Sequence, residues 1–390
     1  MTEKKLRNIK IIALSVSLIL IIWAGFLFYE HRTFAEAVVP SPELTEVKRL
    51  SSYFSPLAGT ANDCNLYFFD SGNPGGTLFL IGGSHPEEPG ANLTAQLFVE
   101  NVQMEQGRMI VAIRANRSAS TVTRPGDAYP RFYTIPTSWG EKKFRMGDRW
   151  SNPLDSWPDP EVYVHYPSGQ MLAYMDIRNF NRTWPGRANG TLTEQTNFAM
   201  MELIRQEEVD FFIDLHEAEL EYPVISTIVA HESGQEIAAT ASMMLTEFEF
   251  ERPIGMEFSP PSLHGLSHRE VGDNSDAISL LFETPEPFLD RVRGITDEDL
   301  LLTGKDAFVM EAGKYGLLYE KIDERGWPID VRVGRHISTI LETVQAYSDM
   351  NPDQPIVIQG IPRYQEVIDN GTGYYFRNPE EAGESQVYYE

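Results

Sequence analysis

Four side chains in this sequence could assemble a hydrolytic site. His85 and Glu88 stand three residues apart, His216 follows an apolar run, and Glu283 follows another. A neutral imidazole nitrogen and a carboxylate oxygen are both good zinc ligands. His85, Glu88 and His216 supply two imidazoles and one carboxylate. Three protein ligands leave a fourth position for water, the form of a catalytic rather than a structural zinc site. Zinc lowers the pKa of such a water to about 7, and Glu283 would take its proton as general base. The same set also suits Fe(II). Taken singly, each residue has a plainer reading: a polar loop for His-x-x-Glu, a core histidine for His216, a strand-end acid for Glu283. The argument lies in their combination at strand ends.

The elements that must position them can be read from apolar spacing. Thr77–Ile81 has the pattern of a buried strand, and Gly82-Gly83 then lets the chain turn sharply before His85. Helical spacing runs from Asn92 to Met104, and GRMIVAI over Gly107–Ile113 reads as a second strand, which makes a βαβ unit. VDFFIDL over Val209–Leu215 runs directly into His216-Glu217, and Ile278–Phe282 delivers Glu283. Parallel neighbours in one sheet would bring these ends to the same rim, where open α/β sheets hold ligands. Further helices are expected over Thr193–Gln206, capped by Thr191 or Thr193, and over Gly234–Glu247, Asp297–Gly313 and His336–Asp349. A strand is expected over Pro223–Ala230. Arg114–Gly169 reads as one long irregular stretch containing Arg145 and Arg149. Ser259–Asp276 reads as a loop carrying His264 and His268, and Glu217 as either a supporting carboxylate or a surface acid.

The order His85-x-x-Glu88, Asn181-Arg182, Asp-Leu-His216, Phe-Glu283-Thr resembles the zinc carboxypeptidase superfamily. The likeness is nearer to its succinylglutamate desuccinylase/aspartoacylase branch, whose metal loop the stretch Gly-Gly-Ser-His85-Pro-Glu-Glu88-Pro-Gly resembles. It covers roughly Thr77 to Pro287. The resemblance implies an α/β fold with a mixed, roughly eight-stranded sheet flanked by helices. It implies one Zn2+ per chain on His85, Glu88 and His216, with Glu283 as the catalytic glutamate. It also implies that Arg182, with Asn181 beside it, holds a substrate carboxylate, a task suited to the planar guanidinium fork. A further upstream arginine would polarise the scissile carbonyl. Arg145 and Arg149 are the candidates, with Arg149 preferred for the carbonyl and Arg145 left as a substrate contact.

Composition bounds the partners. The net charge of −25 speaks against nucleic acid, because phosphate binding needs a basic face. Cys64 is the single cysteine, which excludes an internal disulfide and a Cys-rich zinc knuckle. Residues 1–10 are basic and 11–29 form an uncharged apolar run long enough for about one bilayer crossing. The positive flank should remain cytoplasmic, which places the rest of the chain on the extracytoplasmic side. Ala35-Glu-Ala37 has the form of a cleavage site, so secretion after cleavage is the alternative. The expected organisation is a basic flank (1–10), a transmembrane anchor (11–29), a linker (30–44), a zinc hydrolase domain (45–350) and a C-terminal extension (351–390). With the resemblance, this describes a membrane-anchored zinc-dependent hydrolase that cleaves an amide bond of an N-acyl amino acid or related substrate with a free carboxylate. A metallocarboxypeptidase acting on peptides, including cell-wall peptides, and an anchored binding domain without turnover are the alternatives.

Overall fold

Eight strands form one mixed sheet. In chain order they are β1 (Leu44–Arg49), β2 (Asn65–Asp70), β3 (Thr77–Ile81), β4 (Arg108–Ala112), β5 (Phe211–Ala218), β6 (Thr227–Ala230), β7 (Gly255–Phe258) and β8 (Ile278–Pro285). Their spatial order is β7-β6-β8-β5-β3-β4-β2-β1. The four central strands, β4, β3, β5 and β8, run parallel. On the flanks, β6 runs against β8, and β2 against β4. This computed structural model describes residues 2–122, 130–248, 253–288 and 295–390.

The central strands read as continuous apolar runs because both of their faces are covered. Along β3, Leu78 and Leu80 join the core cluster under α2 (Pro89–Asn101) and the long C-terminal helix Ile329–Met350. Phe79 and Ile81 point the other way, toward Met200 and Leu203 of the helix Leu192–Gln206. Thr191 caps that helix in a reciprocal box with Glu194, which satisfies two otherwise orphaned donors.

Three segments differ from the sequence reading. β5 does not stop at Leu215 but continues to Ala218, because it pairs residue for residue with the eight residues of β8. The stretch 114–169 is not one loop. It contains a hairpin, Phe132–Thr137 with Gly140–Arg145, whose alternation is masked by its lysines. Ser267–Asn274 forms a short helix, closed by an Arg269–Asp273 ion pair at 2.6 Å one turn apart.

The amino-terminal helix α1 spans Glu3–Thr33, with a window of mean hydropathy 2.7 that is 0% buried. It is long and apolar enough to cross a membrane. Residues after it, expected in a linker, are built into the body. Glu36 is buried in a two-pronged pair with Arg114 at 2.7 and 2.9 Å. Ala37–Val38 pairs with Tyr388–Tyr389. The C-terminal stretch is ordered against the rest: Val357–Gln359 pairs with Gln103–Gln106, and the Glu390 side chain is buried, accepting from Tyr67 Oη at 2.9 Å.

Candidate metal centre

The tight turn after β3 sets the first two groups. Gly83 sits at φ +67°, and a Cβ there would come within 2.8 Å of the Arg114 backbone. Beyond it the chain returns through His85 and enters α2, with Glu88 at the N-cap and Pro89 behind it. The strand register supplies the other two. His216 of β5 lies directly opposite Glu283 of β8. Successive residues of a strand alternate in facing. His216 therefore meets His85 on one side of the sheet, and Glu217 reaches Arg332 on the other.

His85, Glu88 and His216 converge, all buried, with their ligating atoms within 4.8 Å of one another. His85 Nδ1 is 2.7 Å from Glu88 Oε1, and His216 Nδ1 is 2.9 Å from Glu88 Oε2. The far nitrogens are held by acceptors. His85 Nε2 is 2.9 Å from Asn179 Oδ1, and His216 Nε2 is 3.0 Å from Asp214 Oδ2. The Asn179 oxygen is oriented by the Asn181 N–H. Asp214 is fixed by the Ser84 and Ser267 hydroxyls at 2.7 and 2.6 Å.

This arrangement fits a divalent cation. His85 Nε2 faces the Asn179 oxygen, and His216 Nε2 faces Asp214 with the Asn181 amide nitrogen 3.4 Å away, so with the ring proton on Nε2 each imidazole can offer Nδ1 to a metal beside the Glu88 carboxylate. Two imidazole nitrogens and a carboxylate oxygen within 4.8 Å of one another are a donor set that suits a divalent cation. Burial disfavours a charged His216, yet Asp214 and Glu88 outweigh it and hold this imidazole well above its usual pKa. Burial disfavours the Glu88 anion too, but the two imidazoles keep its carboxyl well below the carboxylate range.

The pocket in front of these residues has a volume of about 390 Å³ and is lined by Arg149, Asn181, Arg182 and Glu283 as well. Burial pushes the Glu283 carboxyl up to about 8, against the pull of His216 and Arg149. Its Oε2 is buried with no hydrogen-bond partner among the described residues. Arg182 spends one bond, 2.7 Å, on the Asn181 carbonyl. Burial lowers its pKa, and no carboxylate pairs with it among the described residues. Arg149 Nε donates to Glu87 at 3.0 Å and Nη2 lies 3.6 Å from Glu88. Val224, Val229 and Leu263 form an apolar part of the wall. A hollow of about 470 Å³ elsewhere has Asp330 as its single carboxylate, and Thr372 occupies that group.

The structure thus gathers seven of the eight sequence candidates around one pocket. Arg145 lies apart. It is buried in the hairpin and donates to the carbonyls of Phe34 and His31 at 3.0 and 3.3 Å, at the end of α1. His268 lines the pocket and bonds Ser259 Oγ at 2.8 Å, whereas His264 pairs with Glu270 at 3.0 Å. Sequence reasoning assigned no role to Asn179 or Asp214. Asp214 had a signal, since Asp-x-His on a strand puts both side chains on one face. Asn179 had none beyond its polar surroundings.

No family model matches the sequence, and no curated protein does. Similar solved structures include a succinylglutamate desuccinylase from a Silicibacter species, at 16% identity and TM-score 0.35, covering 56% of this chain and 52% of that one. A metallo-carboxypeptidase from Burkholderia cenocepacia matches at 13% identity and TM-score 0.42, with 84% and 68% covered. An aspartoacylase family protein from Mesorhizobium loti matches at 15% identity and TM-score 0.37, with 63% and 65% covered. This chain therefore spans between 52% and 68% of the lengths of these three.

Proposed function

We propose that this protein is a membrane-anchored, zinc-dependent amidohydrolase that acts on an N-acyl amino acid or a related substrate with a free carboxylate. The observation that carries the reading is one pocket that combines a convergent His85-Glu88-His216 set with a Glu283 oxygen and an Arg182 guanidinium that have, respectively, no hydrogen-bond partner and no carboxylate among the described residues. His85, Glu88 and His216 would hold a divalent ion, which would supply Lewis-acid activation of a water and of the substrate carbonyl. Glu283 takes the proton as the water oxygen bonds to the carbonyl carbon, then delivers it to the departing nitrogen as the C–N bond breaks. The products are a carboxylate and an amine. Arg149 donates to the charge that develops on the carbonyl oxygen. Arg182 grips the substrate carboxylate, and Asn181, bonded to the Ser267 N–H at 2.7 Å, keeps it in place.

The deciding experiment is metal analysis of the detergent-solubilised full chain, with a screen of N-acyl amino acids and short peptides. About one zinc per chain, lost in His216→Ala, together with chelator-sensitive release of an amino acid, supports the reading. Release from peptides alone turns it to a carboxypeptidase. A metal-free wild-type protein without turnover defeats it.

Arg182→Ala should raise KM about 10- to 100-fold, as expected for losing a charge-assisted hydrogen bond of about 1.5–3 kcal/mol. The kcat should change much less, and an amidated substrate should lose the same factor with the wild-type enzyme. A KM that does not move removes Arg182 from carboxylate binding.

The helix α1 is proposed to stay attached. Cleavage after Ala37 would take away Glu36 and leave the buried Arg114 guanidinium without its carboxylate, a loss on the order of several kcal/mol. The mass of the membrane-extracted protein should include residues 1–37, and a mature chain beginning at Val38 contradicts this.

A further inference from the structure

The catalytic body grips the last two turns of α1. Arg131 Nη1 donates to the Leu27 carbonyl at 3.0 Å and pairs with Glu30 at 3.1 Å. Lys143 pairs with Glu30 at 3.4 Å and sits over the Phe132 ring. Arg32 Nη2 is 2.5 Å from Asp155 Oδ1, and His31 is buried edge-on to Phe132. Arg145 closes the exit from behind through the His31 and Phe34 carbonyls.

These contacts fix a height. The apolar run ends at Tyr29, and Arg32 stands three residues later, about 4.5 Å on at 1.5 Å per residue. The polar layer on each side of a bilayer is about 5–8 Å deep. Asp155 is therefore held within the headgroup layer, and Arg131, bonded to Leu27, at its inner edge. Beside Asp155, Leu154 is 81% exposed and Trp157 is 73% exposed. Tryptophan is favoured at that depth, where its ring is apolar and its N–H is wet. Arg32, Arg131 and Lys143 surround the exit with Glu30 and Asp155 between them, three cations to two carboxylates, and the excess has the sign that anionic lipid headgroups attract.

We propose that Leu154 and Trp157, flanked by these cations, form a membrane-seating surface that sets the body directly on the lipid headgroups. The proposal rests on the reading of α1 as a retained anchor. Arg114, which holds Glu36, follows the end of β4, just as His85 follows the end of the parallel neighbour β3. The helix exit and the metal centre thus share one end of the sheet.

Cys64 is buried, with its thiol pushed by burial up to about 12, so it leaves introduced cysteines to be labelled selectively. Full-length Leu154→Cys, Trp157→Cys and Asp353→Cys would each carry an environment-sensitive fluorophore in vesicles of three parts phosphatidylcholine to one of phosphatidylglycerol. Asp353 lies near the opposite end of the strands, beside the Pro355–Gly76 contact that precedes β3. Labels at 154 and 157 should be quenched severalfold by shallow spin-labelled lipid and spared by aqueous iodide, with the reverse at 353. Iodide quenching that is equal at all three positions overturns the seating surface. Shielding of 154 and 157 that persists in detergent and yields crosslinked pairs overturns it in favour of a second copy. Protein that does not float with vesicles overturns the anchor, and the seating surface with it, while leaving the metal centre's assay unaffected.

Discussion

Glu283→Gln should lower kcat about 10²- to 10⁴-fold, the usual worth of a positioned general base, while zinc stays at the wild-type stoichiometry. The separation is possible because Glu283 is not among the ligating atoms. It belongs to the neighbouring strand β8, opposite His216, it lines the pocket, and its Oε2 has no partner among the described residues. Glutamine keeps the shape and one acceptor but cannot take a proton. The pH profile gives a second readout. Burial pushes this carboxyl up to about 8, and a base works only when ionised. In the wild type kcat/KM should therefore climb with pH and level off. The midpoint should lie at or below about 8, since a cation beside the carboxyl pulls it down. The residual activity of Glu283→Gln should lack that limb. Near-normal kcat in the metal-loaded variant would remove Glu283 from the chemistry.

What the sequence made legible follows from where its signals come from. The strands β3, β5 and β8 could be read because they are covered on both faces, and burial on both faces leaves an unbroken apolar run ending abruptly at the first polar group. The candidate site residues stand at or just past those abrupt ends, so they could be named together with the strands. Arg145 and Arg149 were harder to separate. They are four residues apart in a stretch without apolar rhythm. What distinguishes them is a hairpin whose strand Gly140–Arg145 carries charges at 141, 142, 143 and 145, which hides its alternation. Arg145 closes that strand and turns back to α1, whereas Arg149 lies beyond it and reaches Glu87. Asn179 was invisible for a different reason. Its role depends on one contact with a ring nitrogen 94 residues away in sequence, and no local pattern encodes that. The reading of residues 30–44 as a linker rests on small and proline residues, a composition that suits a packed segment equally: Ala37–Val38 pairs with Tyr388–Tyr389, and Val38–Ser41 is buried.

The buried network behind the sheet carries the other large effect. Arg332, on the helix Ile329–Met350, is 0% exposed and lies 3.1 Å from Glu217 and 3.5 Å from Glu286. Burial raises the pKa of both carboxyls, and Arg332 opposes it. Glu217 is also the brace of the metal loop. Its backbone N–H donates to Glu88 Oε2 at 3.1 Å, and its carboxylate accepts from the Gly90 N–H at 2.6 Å. The packing there is close enough that a Cβ on Gly90 would stand 2.5 Å from the Glu217 carboxylate. Arg332→Met should cost about 3–5 kcal/mol in denaturant unfolding, the range for removing one member of a buried ion pair. It should also weaken zinc binding, measured by competition with a chelator, because the carboxylate that holds Gly90 and the entry to α2 loses its counter-charge. Arg332→Met combined with Glu217→Gln should be less destabilised than Arg332→Met alone, since one buried carboxyl, Glu286, rather than two then lacks the arginine. A loss no larger than that of exposed Arg325→Met, with zinc affinity intact, would mean that the back face stabilises neither the fold nor the metal loop. A loss of stability with unchanged zinc affinity would confine Arg332 to the fold and leave Glu88 held by the two imidazoles and the Glu217 N–H.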